Sequence, residues 1–292
     1  MNAFSIKDLE NLSGIKAHTI RIWEQRYGFL KPQRTGTNIR YYTNNELKKI
    51  LNVALLNKYG YKISHINRMS SGEIDEKIIA LTQTEAQQEK VVNDLLRYMI
   101  DLDMTAFEDA LDHQIKEKDI DKVIMQVIFP FLEKIGILWV TNHINPAQEH
   151  LVSNIIRQKL IVGIENMQSY IHLNKTALLF LPEGEHHELG LLFAQYIFKG
   201  HGLNVLYMGA DSPMADIGFI IKQKRPDFIF THLISLPANF NFDKFIDTLA
   251  GISHSIPVIV SGQSQIHHKK QAYTNIHFKY SLGEIMEYIA SL

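Results

Sequence analysis

The richest chemistry in this sequence of 292 residues sits where the apolar run Leu178-Leu-Phe-Leu-Pro182 gives way to Glu183-Gly-Glu185-His-His187-Glu-Leu-Gly190. The run reads as a buried strand and the segment after it as an amphipathic helix, so Glu185-x-His187-x-x-Gly190 occupies a strand-to-helix turn. In an open parallel sheet that turn lies at the carboxyl ends of the strands, where such folds bind ligands. A neutral imidazole can ligate a metal through one nitrogen while a carboxylate two residues earlier accepts the other N–H and fixes the tautomer. Gly190, lacking a Cβ, lets a bulky group approach the backbone.

The elements that must position this turn follow from periodicity. Short apolar strands at Ala177–Leu181, Asn204–Met208, Asp227–Leu233, Pro257–Val260 and Ile276–Phe278 alternate with helical patterns around 188–199, 213–223, 241–251 and 283–291. Alternation of that kind predicts a Rossmann-like, doubly wound parallel sheet over 171–292. Two further strand ends carry small polar groups, Thr231-His-Leu233 and Ser261-Gly262.

Upstream, apolar residues at helical spacing over Val91–Leu102, Phe107–Ile115, Ile120–Leu138 and Ala147–Ile164 predict a four-helix bundle within 73–170, with Pro130 bending its third member. Trp139 is followed after nine residues by Glu149-His150, and Asn145-Pro146-x-Gln148 starts the helix that carries them: Asn caps, Pro takes the first position, Gln reaches back. Ser70-Ser71-Gly72 reads as a linker, and Glu73 to about Gln88 as one polar helix.

Residues 1–70 carry twelve Lys and Arg against four Asp and Glu, while the whole chain is −1. A basic segment on an acidic body implies an anionic partner for that segment alone, and nucleic acid is the usual one. Ser5-x-x-Asp8 opens a short helix, Ser13-Gly14 turns the chain, and Ile15 to Arg26 forms a second helix, which together make a helix-turn-helix. Ile20, Trp23 and Tyr27 share one face of the second helix and leave Lys16, His18, Thr19 and Arg21 toward a groove; Lys31 to Tyr42 then reads as a β-wing with Arg40 and Tyr41 at phosphate.

Four stretches resemble known families. Glu185-x-His187-x-x-Gly190 is similar to the Asp-x-His-x-x-Gly signature of cobalamin-binding domains, with Glu185 in place of Asp. Thr231, Leu233 and Ser261-Gly262 stand where those domains carry Ser-x-Leu and Gly-Gly around the nucleotide tail, between the ends of the first, third and fourth strands. Trp139 with Glu149-His150 resembles the helical cap of methionine synthase and of CarH/LitR-type photoreceptors. Thr19-Ile-Arg-Ile-Trp-Glu-Gln-Arg-Tyr-Gly28, with Pro32, Arg34 and Arg40-Tyr41-Tyr42, resembles the winged helix-turn-helix of MerR-type regulators over residues 3–70; Leu47–Tyr59 and Ile63–Met69 fall where that family has two further helices.

The resemblance implies a multidomain protein, mainly α plus α/β: a DNA-binding domain at 1–72, a cap at 73–170 and a cofactor domain at 171–292. It implies adenosylcobalamin as cofactor, with His187 as lower axial ligand to cobalt and Glu185 orienting it. Trp139, Glu149 and His150 fall around the upper ligand, and Gly190, Thr231, Leu233 and Gly262 about the tail. It also implies double-stranded operator DNA and a homo-oligomer, dimer or tetramer, as partners, repression as the output and no enzyme activity. The photoreceptors carry a second His directly after the Trp, and here that residue is Val140, which cannot ligate; His143 lies a few residues on.

At 46% hydrophobic and 21% charged residues the chain can build real cores, and no signal peptide or bilayer-length apolar run is evident, so a cytoplasmic protein without membrane contact is expected. The absence of cysteine argues against thiophilic-metal sensing. A zinc or iron site from His186, His187, His267 and His268 lacks a shared ligand spacing. Two alternatives stay open: a regulator of this kind with lost or altered cobalamin use, and a corrinoid carrier or methyltransferase subunit, against which the winged N-terminus argues.

Overall fold

The computed structural model describes residues 3–140, 144–167, 169, 172–262, 273–280, 284, 285, 287 and 288, and its contacts divide the chain into two units, Met1–Ile155 and Ile156–Leu292. The bases His267 and His268, the loop residue His143 and the side chain of Val140 lie outside the described residues.

In the first unit, Ser5 and Asp8 form a capping box at the start of α1 (Ile6–Ser13), which ends on Gly14 in the left-handed region. Helix α2 (Ala17–Tyr27) begins two residues later than the sequence suggests, because Lys16 keeps a non-helical backbone and sends its Nζ to Glu10 at 3.3 Å. The wing is a short antiparallel hairpin, β1 (Gln33–Arg34) and β2 (Arg40–Tyr41), anchored by two backbone hydrogen bonds between Phe4 and the buried Tyr42. Helices α3 (Asn44–Lys58) and α4 (Ile63–Ile66) follow.

Ser70 is not a linker residue. It caps α5 (Ser71–Ile79) in a second capping box with Glu73, and the chain breaks at 80–83 before α6 (Thr84–Asp101), so the expected single polar helix is two. Helix α7 (Met104–Glu117) leads to a long third element: α8 (Ile120–Val123), a π-helical turn (Ile124–Ile128) and α9 (Phe129–Val140). Pro130 has no N–H to offer the preceding turn, and the wider π-turn directly before it absorbs the mismatch. Helix α10 (Pro146–Asn166) is capped as its sequence predicts: Asn145 Oδ1 accepts from the Ala147 N–H at 2.9 Å, and Gln148 Oε1 from the Asn145 N–H at 2.9 Å.

The second unit holds a parallel sheet of five strands in the order β4-β3-β5-β6-β7, namely β4 (Asn204–Ser212), β3 (Thr176–Pro182), β5 (Phe228–His232), β6 (Val258–Ser261) and β7 (Ile276–Lys279). Helices α11 (Leu189–Gly200), α12 (Met214–Lys224) and α13 (Phe242–Ser253) connect them. Side chains alternate across the strands, so Ala177, Leu179, Phe228 and Phe230 join the α11 residues Leu191, Ala194 and Phe198 in one core. Leu178, Phe180, Ile229 and Val258 meet α12 and α13 in the other. From β3 the chain goes first to β4 on one side and then to β5 on the other, which makes the gap beyond β3 and β5 the topological switch point. Among the described residues, no helix is long and apolar enough to cross a membrane.

Candidate cofactor site and nucleic-acid interface

Glu185 and His187 lie in the loop between β3 and α11, at that switch point. The Glu185 carboxylate is fully buried and accepts four hydrogen bonds. Its Oε1 takes the His187 N–H at 3.0 Å and lies 2.6 Å from His187 Nδ1; its Oε2 takes the amides of Ile234 at 2.7 Å and Ser235 at 2.8 Å, in the loop after β5. One carboxylate thus ties together the loops that leave the two strands flanking the switch point. Burial alone raises a carboxyl's pKa, but the bonds from His187, Ser235 and Ile234 outweigh it and hold Glu185 below the ordinary carboxylate value. With Nδ1 committed to Glu185, Nε2 is the His187 nitrogen chemically suited to a metal, and the side chain is 51% exposed.

The residues expected around the tail divide between two faces of the sheet. Gly190, at the start of α11, lies over the face shared by Phe228 and Phe230; Thr231 and Leu233 belong, by strand alternation, to the opposite one. Thr231 Oγ1 is buried with no hydrogen-bond partner among the described residues, an acceptor and donor left over at a strand end. Gly262 has φ +100°, and a Cβ there would come within 2.1 Å of the Leu233 carbonyl oxygen, so only glycine fits. What faces Gly190 is His232, the middle residue of Thr231-His-Leu233. Its ring is so close that a Cβ on Gly190 would lie 2.3 Å from Cδ2 and 2.5 Å from Nε2. His232 Nδ1 shares a 2.7 Å hydrogen bond with Ser261 Oγ at the end of β6. Burial lowers the His232 pKa to about 4, against a smaller upward pull from Glu185, so the ring is neutral at physiological pH.

A carboxylate-oriented His and an orphaned buried hydroxyl at the strand ends fit a corrinoid's lower face; Gly190 and Gly262 are required by the protein's own packing, and the space beneath Gly190 is taken by its own imidazole. Glu188 adds a second anchor beside the site: its Oε2 pairs with Arg157 at 2.7 Å, and its Oε1 accepts from Tyr207 Oη and the Ala210 N–H, both at 3.2 Å.

In the first unit, Trp139 near the end of α9 is 48% exposed, an unusual position for an indole whose burial would contribute to a core. Glu149, in the first turn of α10, pairs with His150 Nδ1 at 3.2 Å and accepts a hydrogen bond from Ser153 Oγ. Lys16, just before α2, and His18 and Arg21 on it are exposed, and Thr19 is half-buried, with its Oγ1 3.3 Å from His18 Nε2. Arg40 Nε lies 3.5 Å from Glu24 Oε1, and Tyr42 Oη donates to Glu24 Oε2 at 2.9 Å. Glu24 therefore fastens the wing to α2, a role the sequence does not reveal. Tyr41 Oη donates to Gln33 Oε1 at 2.5 Å across the hairpin. Ile22 on α2 and Ile39 in the wing are 53% and 64% exposed, apolar groups left uncovered on the same unit.

Residues 4–73 match the MerR HTH family of regulatory proteins and residues 91–162 the B12 binding domain. The HTH-type transcriptional repressor CarA of Myxococcus xanthus is 29% identical over 276 residues, 92% of this chain and 90% of CarA; the repressor CarH of the same organism is 28% identical over 260 residues, 87% of this chain and 85% of CarH. The chain is similar to both repressors over most of its length and of theirs. The chain itself joins a match to the MerR HTH family with a match to the B12 binding domain, and its similarity to the two repressors extends through the sheet that carries Glu185 and His187. The monomethylamine corrinoid protein of Methanosarcina barkeri shares the fold, with a TM-score of 0.53 at 9% identity over 70% of this chain and all of that one.

Proposed function

We propose that this protein is a DNA-binding transcriptional regulator, a repressor, whose grip on operator DNA is set by a bound cobalamin. The observation that carries the reading is the Glu185–His187 pair at the switch point, in a chain whose residues 4–73 match the MerR HTH family and hold α1, α2 and the β1–β2 hairpin. His187 is the lower axial ligand to cobalt, and Glu185 holds its tautomer and orientation. Gly190, Thr231, Leu233 and Gly262 form the lower surroundings. On the resemblance to cobalamin caps, Trp139, Glu149 and His150 belong with the upper ligand, and residues 73–170 with covering the cofactor held by 171–292. The cofactor is adenosylcobalamin, which supplies a photolabile cobalt–carbon bond when bound. The protein's own contribution is to bind and orient it, not to catalyse.

Lys16, His18, Thr19 and Arg21 enter or flank a groove of double-stranded DNA while Arg40 and Tyr41 meet phosphate beside it. A palindromic operator would engage a homo-oligomer of this chain, and the working compartment is the cytoplasm. Gel-shift titration of the DNA upstream of the protein's own gene tests this, with apo-protein and with adenosylcobalamin in darkness. Affinities differing by about tenfold or more support it, since couplings of one to a few kcal/mol are typical of such switches. Equal affinities refute cofactor control, and no retardation of any upstream fragment refutes the repressor assignment.

A further inference from the structure

His232 fills the space under Gly190 at the ends of β5 and β6. On the resemblance to cobalamin-binding domains, the nucleotide tail of a complete cobalamin held by His187 would run beside Gly190 between the ends of β3, β5 and β6. In this protein those three ends converge on one side chain. His232 leaves the end of β5, is hydrogen-bonded to Ser261 at the end of β6 at 2.7 Å, and lies under Gly190 after β3, closer than any added methyl could tolerate. The missing Cβ that opens a path over the backbone is matched, atom against gap, by the imidazole. To admit a tail the ring must leave a buried position and break its bond to Ser261.

Resting on the reading of His187 as the cobalt ligand, we propose that His232 is a specificity determinant that opposes entry of the lower nucleotide, so that it weakens complete adenosylcobalamin relative to a tailless corrinoid of the cobinamide class. The corrin ring and upper ligand are common to both and are recognised elsewhere; only the nucleotide competes with His232 for volume.

The test is visible-spectrum titration of the full-length protein in darkness with adenosylcobalamin and with adenosylcobinamide, which differ in the tail alone. Complete cobalamin also gives up its internal base on binding, so the decisive quantity is not the wild-type preference but its change on substitution. His232→Ala should tighten adenosylcobalamin by about tenfold or more, the scale of relieving a buried hydrogen bond and a steric conflict, and leave adenosylcobinamide within about threefold. His232→Leu, which keeps the bulk and loses the bond, should retain the wild-type preference; this variant also guards against a cavity-weakened fold, because the ratio of two affinities in one protein does not depend on the folded fraction. An unchanged ratio in His232→Ala, with both corrinoids bound, overturns the role of His232 and leaves the cobalamin reading standing. Binding of neither corrinoid by any of the three proteins overturns the cobalamin reading itself.

Discussion

Replacing Glu185 by Asp installs the residue that cobalamin-binding domains carry at this position, yet here it should be damaging. The side chain spans a gap: Oε1 reaches His187 Nδ1 at 2.6 Å while Oε2 reaches the Ile234 and Ser235 amides at 2.7 and 2.8 Å. Shortening it by one methylene withdraws the carboxylate by about 1.5 Å, beyond hydrogen-bonding distance of one group or the other unless a loop moves. Hydrogen bonds to a charged group contribute roughly 1.5–3 kcal/mol each. Loss of the two amide bonds alone therefore predicts a destabilisation of about 3–6 kcal/mol, a large part of a typical domain's stability. Glu185→Gln should cost about as much, because one side of the amide must present its NH2 to N–H donors. Urea unfolding followed by circular dichroism gives the free energy, and amide NMR shifts show whether Ile234 and Ser235 have lost their acceptor. If Glu185→Asp unfolds within about 0.5 kcal/mol of wild type with both amide shifts unmoved, the carboxylate does not hold the two loops together.

Arg21→Ala should weaken binding to all DNA sequences and lower the salt slope by about 0.9, as expected for one phosphate contact, measured by fluorescence anisotropy at several salt concentrations. Arg40→Ala should cost more, because it also uncovers the Glu24 carboxylate beside the DNA, and Glu24→Gln in the same protein should restore part of the loss. His232 is neutral when folded, with a pKa of about 4 against 6.5 when exposed, so stability should be full above pH 6.5 and fall by about 3 kcal/mol on going down to pH 4; His232→Leu should flatten that segment of an acid titration by urea unfolding. Glu185 is lowered below 4.5, so its contribution persists above that value and disappears only at more acidic pH, a loss that Glu185→Gln should remove. Val140→His supplies the upper ligand that the photoreceptor pattern carries, and should enlarge the change in DNA affinity on illumination; an unchanged light response would show that another residue serves or that light is not the signal.

Much of the fold is legible in the sequence because periodicity and caps agree. The strand runs and their helices fall within a few residues of β3 to β7 and α11 to α13, and Asn145-Pro146-x-Gln148 caps α10 through the two bonds its residue types imply. Ser70 misleads because Ser-Ser-Gly reads equally as linker or cap, and only Glu73, three residues on, decides for the cap. The π-turn before Pro130 is invisible to a periodicity of 3.6, which shows that a proline perturbs a helix but not how the helix accommodates it. At the site, the link from Glu185 to His187 is local and so can be read from spacing. Its second pair of bonds, to residues 234 and 235, depends on which strands become neighbours. His232 escapes notice for the same reason: inside Thr231-His-Leu233 it occupies an unspecified place, and it gains meaning only when Gly190 and Ser261 arrive from other strands. Glu24 is similar, a letter of the MerR motif until the wing folds back on α2.

The most direct measurement is a visible absorption titration, in darkness, of wild-type protein and His187→Ala with adenosylcobalamin and adenosylcobinamide, followed by gel filtration to see whether the corrinoid stays with the protein. Wild type should retain at least one of the two with the spectrum of a cobalt carrying an imidazole from the protein, and His187→Ala should bind it at least about tenfold more weakly and without that spectral change, the scale expected when an axial ligand and its orienting partner are lost together. Equal affinity and identical spectra for the two proteins would remove His187 from the site, and failure of wild type to bind either corrinoid would contradict the account at its centre.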